Sequence, residues 1–299
     1  MIHTFWHNTD TNKKLPFNNV NCIKSWIHQG KEINIWVYDD NILTSEFKTF
    51  CNNNELISIN DADQIIPYDE YTTIDYGSNG HSFASFSDVF RYKVLDIFGG
   101  WWLDTDIILL NRNLDVLEND LDDDSEPLFF IERYSTHQDH LKLNNAVIYA
   151  PKKGIMDSFY KESLSILNDM IENKRIGSVW GNTGPDLITD RKNDVNHGDY
   201  RDFYLIDFYT YTGSLYSYAY SQLTMDNLVR FFKQKPFGIH LWESYLYKHG
   251  NIKRFSLFDL CFRLSHKGKE ITIENIIDEL PPHMVGVFPN VTRPNHLDG

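Results

Sequence analysis

The stretch from residue 99 to residue 110, GGWWLDTDIILL, constrains this chain more than any other. Two glycines and two tryptophans lead into two aspartates one residue apart, and four aliphatic residues follow at once. The apolar residues on both sides predict one continuous buried strand. Successive side chains of a strand face opposite sides of its sheet. Asp104 and Asp106 are therefore expected on one face of the predicted strand, and Thr105 on the other.

Two carboxylates on one face of a buried strand repel each other and lose their solvation. A divalent cation between them would relieve both costs, and oxygen ligands suit Mg²⁺ or Mn²⁺. The alternative is a strand that ends at Leu103 and leaves both aspartates in a solvated loop. The pair alone favours this alternative, because Asp-x-Asp is a common sequence.

The preceding segment, SFASFSDVFRYKVLDIF at residues 82–98, predicts a helix that ends at Gly99. Asp88 and Arg91 lie one helical turn apart and therefore share a face. If the helix returns to the carboxyl ends of the strands, where ligands bind in α/β sheets, Arg91 could pair with phosphate oxygens and Asp88 with sugar hydroxyls. The alternative is a surface salt bridge. The apolar stripe of the helix consists of Phe83, Phe86, Phe90, Val94 and Ile97.

The first forty residues predict a strand, a helix and a second strand, which indicates a right-handed β-α-β unit and a mostly parallel sheet. The class is α/β, without an internal repeat or a linker, and with weak periodicity after residue 250. The remaining predictions are a helix at 41–53, strands at 128–134 and 143–151, a helix at 154–171, a helix from 181 with Thr183 as its cap and Pro185 in its first turn, and strands at 204–209 and 237–242.

The composition narrows the classes of partner. A net charge of −14 and a pI near 5.2 disfavour nucleic acid, which requires a basic surface. Three isolated cysteines without a C-x-x-C motif are typical of reduced thiols. The sequence shows no signal peptide and no apolar run of transmembrane length. We therefore expect a cytoplasmic protein without a transmembrane segment, and peripheral contact with a membrane face stays open.

The segment from Ser87 to Ile107 resembles the core of the sugar transferases that share a DXD motif. These are the capsular-polysaccharide and mannosyltransferase-like enzymes (glycosyltransferase family 32-like), to which the catalytic domains of the clostridial glucosylating toxins are related. In this "DXD sugar-binding" group an S-D-x-x-R helix precedes a G-G-x-[YW]-x-D-x-D strand at this spacing. The matching residues are Asp88, Arg91, Gly99, Gly100, Trp102, Asp104 and Asp106. Looser likeness is found in IHTFWH, SWIHQGKEINIWVYDD, NNAVIYAPKKG, NTGPDLIT and HLWESYLY, within residues 1–245.

The resemblance implies a GT-A type nucleotide-sugar-binding fold, with a mostly parallel central sheet flanked by helices. It places the glycosyltransferase domain at residues 1–250 and an extension packed on the same domain at residues 251–299. It also implies a hexosyltransferase that requires Mn²⁺ or Mg²⁺ and retains the anomeric configuration. The acceptor would be a glycan or another hydroxyl compound in surface polysaccharide or glycan synthesis. A UDP-sugar is the favoured donor and a GDP-sugar the alternative.

The same resemblance assigns roles to single residues. Asp104, Asp106 and Arg91 are the predicted catalytic residues, with Arg91 supplying fixed positive charge near the donor. Asp106 and Asp104 are predicted to hold the metal together with His240, for which the alternative is a satisfied core histidine. Gly184 and Pro185 are predicted on the acceptor side, and the alternative is that they only mark the start of a helix. The predicted donor-binding residues are Trp6, Asp88, Arg91, Trp102, Asp104, Asn144, Asn145 and Trp242.

Two other classes of protein share parts of this pattern. A haloacid-dehalogenase-type phosphatase also places D-x-D after an apolar strand, but it requires Thr two residues after the second aspartate, where this chain has Ile108. A non-catalytic carbohydrate-binding protein is compatible with seven tryptophans. Such a protein has no need, however, for four charged residues in this order and spacing.

Overall fold

The computed structural model describes residues 1–8, 10, 12–68, 83–122, 125–134, 141–173, 181–204, 216–242, 246 and 251–285. Within these residues a seven-stranded sheet has the order β3-β2-β1-β4-β7-β6-β8, and β5 and β9 form a second, two-stranded sheet. The strands are β1 (Ile2–Phe5), β2 (Ile33–Val37), β3 (Ile57–Asp61), β4 (Gly100–Leu103), β5 (Ile107–Leu109), β6 (Leu128–Tyr134), β7 (Leu141–Ala150), β8 (Asn196–Gly198) and β9 (Gly238–His240).

Helices flank the sheet, and further helices follow residue 250. The α-helices are α1 (Phe17–Ser25), α2 (Ser45–Asn52), α3 (Phe83–Phe98), α4 (Asp115–Asn119), α5 (Asp157–Glu172), α6 (Pro185–Asp190), α7 (Tyr200–Phe203), α8 (Met225–Phe232), α9 (Leu257–His266), α10 (Ile273–Glu279) and α11 (Pro282–Val285). Short 3₁₀-helices occupy Trp26–Gln29, Asp40–Ile42, Ala62–Gln64 and Lys192–Asp194, and a π-helical turn occupies Tyr216–Tyr220. Within the described residues, no helix is both long and apolar enough to cross a bilayer.

The central sheet is mostly parallel. β1 pairs in parallel with β2 and β4, β2 with β3, and β6 with β8, whereas β7 runs antiparallel to both β4 and β6. Every residue of β1 is buried, as are all but one residue of β2 and of β4, which is typical of strands whose two faces are both covered. The predicted α/β class with a mostly parallel central sheet flanked by helices is confirmed.

The helix before the aspartates forms as predicted. It spans Phe83–Phe98, and Phe90 stacks on Phe5 of β1 with 4.4 Å between the ring centroids. Gly99 has φ +69, and its N–H donates to the carbonyl oxygen of Leu95 at 2.8 Å. A left-handed residue at this position is the usual way to end a helix, and it returns the chain directly into β4.

The continuous strand predicted over residues 99–110 is wrong. β4 ends at Leu103, residues 104–106 form a turn, and β5 leaves the large sheet to pair antiparallel with β9. The turn closes when the N–H of Ile107 donates to the carbonyl oxygen of Asp104 at 3.0 Å. A turn can aim both carboxylates at a pocket, whereas a buried strand would leave them desolvated. The alternative of a strand that ends at Leu103 is therefore right about the chain path.

Three other expectations differ from the structure. Gly184, and not Thr183, is the N-cap residue of α6, although Pro185 occupies the first turn as predicted. The short edge strands β3 and β8 were not predicted, because their polar residues hide the strand periodicity. The segment after residue 250, for which only weak periodicity was found, forms α9 and α10. The predicted strand at 204–209 lies, after Tyr204, outside the described residues.

The described part of the C-terminal segment packs on the N-terminal part of the chain. The Ser265 hydroxyl of α9 donates to the carbonyl oxygen of Asn21 in α1, and Cys22 belongs to the same apolar cluster as Leu257 and Cys261. This packing accords with an extension on the same domain, while the boundary at residue 250 stays a prediction. The three cysteines, Cys22, Cys51 and Cys261, are buried and form no disulfide bond.

We predict that Gly100→Ala destabilises the fold more than Gly30→Ala does. Both glycines have positive φ, but a Cβ at Gly100 would lie 2.8 Å from the carbonyl oxygen of Met1, whereas a Cβ at Gly30 would meet nothing within 4 Å. The control should cost about 1 kcal/mol of unfolding free energy from backbone strain alone. Gly100→Ala should cost about 2 kcal/mol or more, measured by urea denaturation. Equal losses would contradict the close approach of residue 1 to β4.

Candidate active site

A polar pocket of about 180 Å³ lies at the carboxyl end of β4. Three carboxylates, those of Asp88, Asp104 and Asp106, line it together with a single guanidinium, that of Arg91. Its wall thus carries more negative than positive charge, which favours a bound cation. The other lining residues are Ala84, Ser85, Asn144, Asn145, Ala146, Gly181, Pro185, His240 and Trp242.

Arg91 holds two of the carboxylates. Its Nη2 lies 3.2 Å from Asp88 Oδ1 and 3.2 Å from Asp104 Oδ1, and its Nη1 donates to the carbonyl oxygen of Asn145. Asp88 and Arg91 share a helix face, as predicted, but the pair is buried and is not a surface salt bridge. The nearby carboxylates outweigh the effect of burial and raise the pKa of Arg91, so the guanidinium stays charged. Since its nitrogens already contact the protein, pairing with phosphate stays a prediction.

Asp104 is supported from behind by Trp102. The indole N–H of Trp102 donates to Asp104 Oδ1 at 2.6 Å, and the Arg91 guanidinium lies 5.1 Å from the Trp102 ring centre. Burial raises the pKa of Asp104 to about 6 and Asp106 adds to the rise, although Arg91 opposes it. Trp102 is itself 1% exposed and does not line the pocket. In the structure its indole holds Asp104, and its predicted contact with the donor stays a prediction.

Asp106 and His240 come together through the small sheet. Ile107 of β5 is in register with His240 of β9, and the N–H of Leu241 donates to the carbonyl oxygen of Asp106 at 3.0 Å. His240 Nε2 consequently lies 3.4 Å from Asp106 Oδ1. Burial alone lowers the pKa of His240, but the carboxylates of Asp106, Asp104 and Glu132 together outweigh it and raise the pKa overall. His240 Nδ1 is buried without a partner, which does not fit a satisfied core histidine.

The rest of the Asp88 carboxylate anchors two further segments. Its Oδ1 accepts a hydrogen bond from Asn145 Nδ2, and its Oδ2 accepts one from the Thr183 hydroxyl, each at 2.8 Å. A Cβ at Gly184 would lie 2.5 Å from Asn145 Nδ2 and 2.6 Å from Asp88 Oδ2. Only glycine therefore allows the start of α6 to approach the helix so closely. Sequence analysis missed the role of Thr183 because the hydroxyl bonds across the fold and not to its own helix.

Helix α1 and the turn after it hold the aspartate turn from below. Asn19 Nδ2 donates to the Thr105 hydroxyl at 2.9 Å, so Thr105 faces away from the pocket as predicted, although in a turn. Four polar side chains, spaced along α1 and the 3₁₀-helix that follows it, were not identified from the sequence. These residues are Asn19, Ser25, Trp26 and Gln29. Ser25 accepts a hydrogen bond from the N–H of Leu109, and Trp26 donates one to the carbonyl oxygen of Ile107. Gln29 forms hydrogen bonds with the backbone of Leu110, Arg112 and Leu114.

The two remaining aromatic predictions have different outcomes. Trp6 follows β1 and does not line the pocket, so its predicted contact with the donor base stays a prediction. Trp242 lines the pocket beside His240, with 4.0 Å between the ring centres. Its φ of +54 is unfavourable for a residue with a bulky side chain, and such strain is concentrated at functional sites.

The donor atoms at the pocket suit a hard divalent cation only if a ligand completes the set. Within the residues that the structure describes, no group of three or more His, Cys, Asp or Glu side chains could hold a metal ion by itself. Mg²⁺ is commonly bound by one or two carboxylates together with substrate phosphates, however. Asp104, Asp106 and the partnerless His240 Nδ1 fit such a partial set in their chemistry.

We predict that Arg91→Met lowers the free energy of unfolding by about 3–5 kcal/mol, because the buried Asp88 and the half-buried Asp104 would be left without their cation. Arg191→Met is the control, since Arg191 pairs with Glu162 and Asp194 at the surface. That variant should lose no more than about 1 kcal/mol. Urea denaturation at neutral pH measures both. Losses of similar size would show that the buried ion cluster does not hold α3 to β4.

Residues 16–125 match the family model described as "Glycosyltransferase sugar-binding region containing DXD motif". No curated protein matches the chain in sequence. The galactosyltransferase LgtC, in complex with donor and acceptor sugar analogues, is 15% identical with a TM-score of 0.48, over 81% of this chain and 87% of that one. GlyE of Streptococcus pneumoniae TIGR4 is 14% identical with a TM-score of 0.49, over 93% and 62%. Mouse xyloside xylosyltransferase 1 is 12% identical with a TM-score of 0.43, over 80% and 96%.

Likeness to solved structures at these levels carries no substrate and no mechanism over to this chain. The family match, by contrast, spans α3, β4 and the aspartate turn, and thus includes Asp88, Arg91, Asp104 and Asp106. Residues 16–125 of the chain are therefore similar to the sugar-binding region of the DXD-motif glycosyltransferases.

Proposed function

We propose that this glycosyltransferase transfers a hexose from a nucleotide-sugar, with a UDP-sugar favoured over a GDP-sugar, and that it requires Mn²⁺ or Mg²⁺. The observation that carries the proposal is the convergence of Asp104, Asp106 and His240 on one pocket whose only described guanidinium, Arg91, is already paired. A pocket with this excess of negative charge is unsuited to a bare diphosphate and suited to a diphosphate that arrives with a cation.

The side chains around the pocket would have separate roles in binding the cation, the donor and the acceptor. Asp106 and Asp104 would hold the cation, with His240 beside Asp106. Arg91 would keep Asp104 ionised and in place, and Asp88 would hold Asn145 and Thr183. A cation bound there would stabilise the negative charge that develops on the leaving nucleoside diphosphate. Asn144, Asn145 and Trp242 would contact the donor, and Pro185 would face the acceptor.

We also propose retention of the anomeric configuration and a glycan or other hydroxyl acceptor in surface polysaccharide or glycan synthesis. The resemblance described above supports both. Three buried cysteines without a disulfide bond support a reducing, cytoplasmic compartment. The anomeric proton coupling of the first product formed, measured by NMR, distinguishes retention from inversion.

We predict that the protein binds a nucleoside diphosphate at least about tenfold more tightly with Mn²⁺ than with EDTA, because the cation offsets charge on both partners. Calorimetry with UDP and with GDP measures the difference. The Asp104→Asn/Asp106→Asn double variant should lose most of it. Equal affinity of the wild-type protein in the two buffers would remove the metal from the proposed function.

We predict that Asp106→Asn lowers kcat by about 100-fold or more, which is the scale expected when one charged group is lost from a preorganised site. The free energy of unfolding should stay within about 1 kcal/mol of wild type, because the neutral amide relieves repulsion from Asp104. Asp120→Asn, an exposed change away from the pocket, is the matched control and should keep full activity. Turnover near that of wild type at limiting Mn²⁺ would exclude Asp106 from the metal site.

A further inference from the structure

Glu132 of β6 carries a buried carboxylate that has no role in the predictions from the sequence or in the proposed function. Its side chain is 5% exposed, and its Oε2 accepts a hydrogen bond from Asn144 Nδ2 at 2.9 Å. Its Oε1 is buried without a hydrogen-bond partner in the described structure. A buried carboxylate with one orphan oxygen is costly, and a leucine at this position would avoid that cost.

A bulge in the sheet brings Glu132 to this position. Ile131 of β6 pairs with Leu143 of β7, and Arg133 pairs with Lys142, so Glu132 is an extra residue opposite a single step of β7. Bulges turn a side chain away from its regular direction, and they are frequent beside active sites. Here the side chain reaches Asn144, which lines the pocket, whereas Glu132 itself does not line it.

The hydrogen bonds that Asn144 forms within the protein leave only an amide hydrogen available to a ligand. Its Oδ1 accepts from the N–H of Ala146 at 2.7 Å and from the hydroxyl of Tyr204 at 3.0 Å. A backbone N–H can only donate, so the orientation of the amide is fixed by the protein. One hydrogen of Nδ2 goes to Glu132, and the second hydrogen is the remaining hydrogen-bonding capacity of the side chain.

Tyr204 connects this chain of hydrogen bonds to the opposite side of the pocket. It is 2% exposed, and its ring meets that of His240 edge-on, with 5.5 Å between the centroids. The row from Glu132 through Asn144 to Tyr204 thus forms a rigid polar support behind the pocket wall. Rigid support of this kind is what a binding group requires to stay in a productive orientation.

We propose that Glu132 is a positioning residue of the donor site: by accepting one amide hydrogen of Asn144, it fixes the other as a hydrogen-bond donor to an oxygen of the donor sugar. The inference rests on the proposed function, because it requires a nucleotide-sugar in the pocket. Asn144 is a pure donor in this arrangement, so it recognises an oxygen lone pair of the sugar. Glu132 acts through Asn144 and does not contact the substrate.

The test compares Glu132→Ala, Glu132→Gln, Asn144→Ala and the double variant Glu132→Ala/Asn144→Ala. Calorimetry in Mn²⁺ gives Kd for the free nucleoside diphosphate and for whichever of UDP-glucose, UDP-galactose, UDP-N-acetylglucosamine and GDP-mannose the wild-type protein binds best. Asn60→Ala is the control, since it removes a comparable amide hydrogen bond, to Asn34 at 3.0 Å, on the outer strands of the sheet.

We expect Glu132→Ala to weaken binding of the nucleotide-sugar by about tenfold, the scale of a lost hydrogen bond to a charged group, and binding of the nucleoside diphosphate by less than about twofold. Glu132→Gln keeps an acceptor oxygen for Asn144 and should stay within about threefold of wild type. In the Asn144→Ala background, Glu132→Ala should add nothing, because the residue through which it acts is gone. The control should leave both constants unchanged.

If Glu132→Ala does not fold, Glu132→Leu, which fills the space without an acceptor, takes its place with the same expectation. The proposal is overturned if the variant binds the nucleotide-sugar as wild type does, if its loss persists undiminished in the Asn144→Ala background, or if neither variant folds. If the wild-type protein binds the nucleoside diphosphate with Mn²⁺ and the variants give any of these results, only the role of Glu132 is excluded. One that binds none of the nucleotides sinks the proposed function and this inference together.

Discussion

The buried guanidinium of Arg91, placed between Asp88 and Asp104, is the interaction on which the rest of the site depends. Burial raises the pKa of both carboxylates, and the shared cation opposes that rise. The same three groups fix the N-terminal half of α3 to the end of β4, so helix and strand cannot shift separately. From Asp88 the hydrogen bonds continue to Asn145 and to Thr183, which brings β7 and the start of α6 into the same cluster.

The two aspartates of the DXD motif are held by two different parts of the fold, which are the supports of the motif. Asp104 ends a strand of the large sheet and is held by Arg91 and Trp102, whereas Asp106 precedes β5 of the small sheet and lies beside His240. Asn19 of α1 joins the supports by holding Thr105 between them. The distance between the two carboxylates therefore depends on how the small sheet sits against the large one, and α1 with its polar side chains sets that relation.

The sequence predicted those parts of the site that lie within one element. The helical spacing of Asp88 and Arg91, the end of α3 at Gly99 and the apolar run of β4 are all local patterns. The break at residues 104–106 was only the alternative to a continuous strand, because the apolar residues on its two sides are alike and nothing local distinguishes one strand from two. Contacts such as Asn19 with Thr105 and Glu132 with Asn144 join residues of separate elements. Their polar residue types are visible in the sequence, but their partners exist only once the chain is folded.

Two carboxylates lie within apolar sequence in this chain, and the charges of the groups around them explain why. Arg91 compensates Asp88 and Asp104, and His240 accompanies Asp106, yet the pocket keeps a surplus of negative charge and a histidine nitrogen without a partner. Glu132 behind the wall adds a further carboxylate, and Trp242 adds backbone strain. Each feature costs stability in the isolated protein. All of them lie at one end of β4, and the three carboxylates of the pocket wall would be relieved together by a cation that brings phosphate oxygens with it.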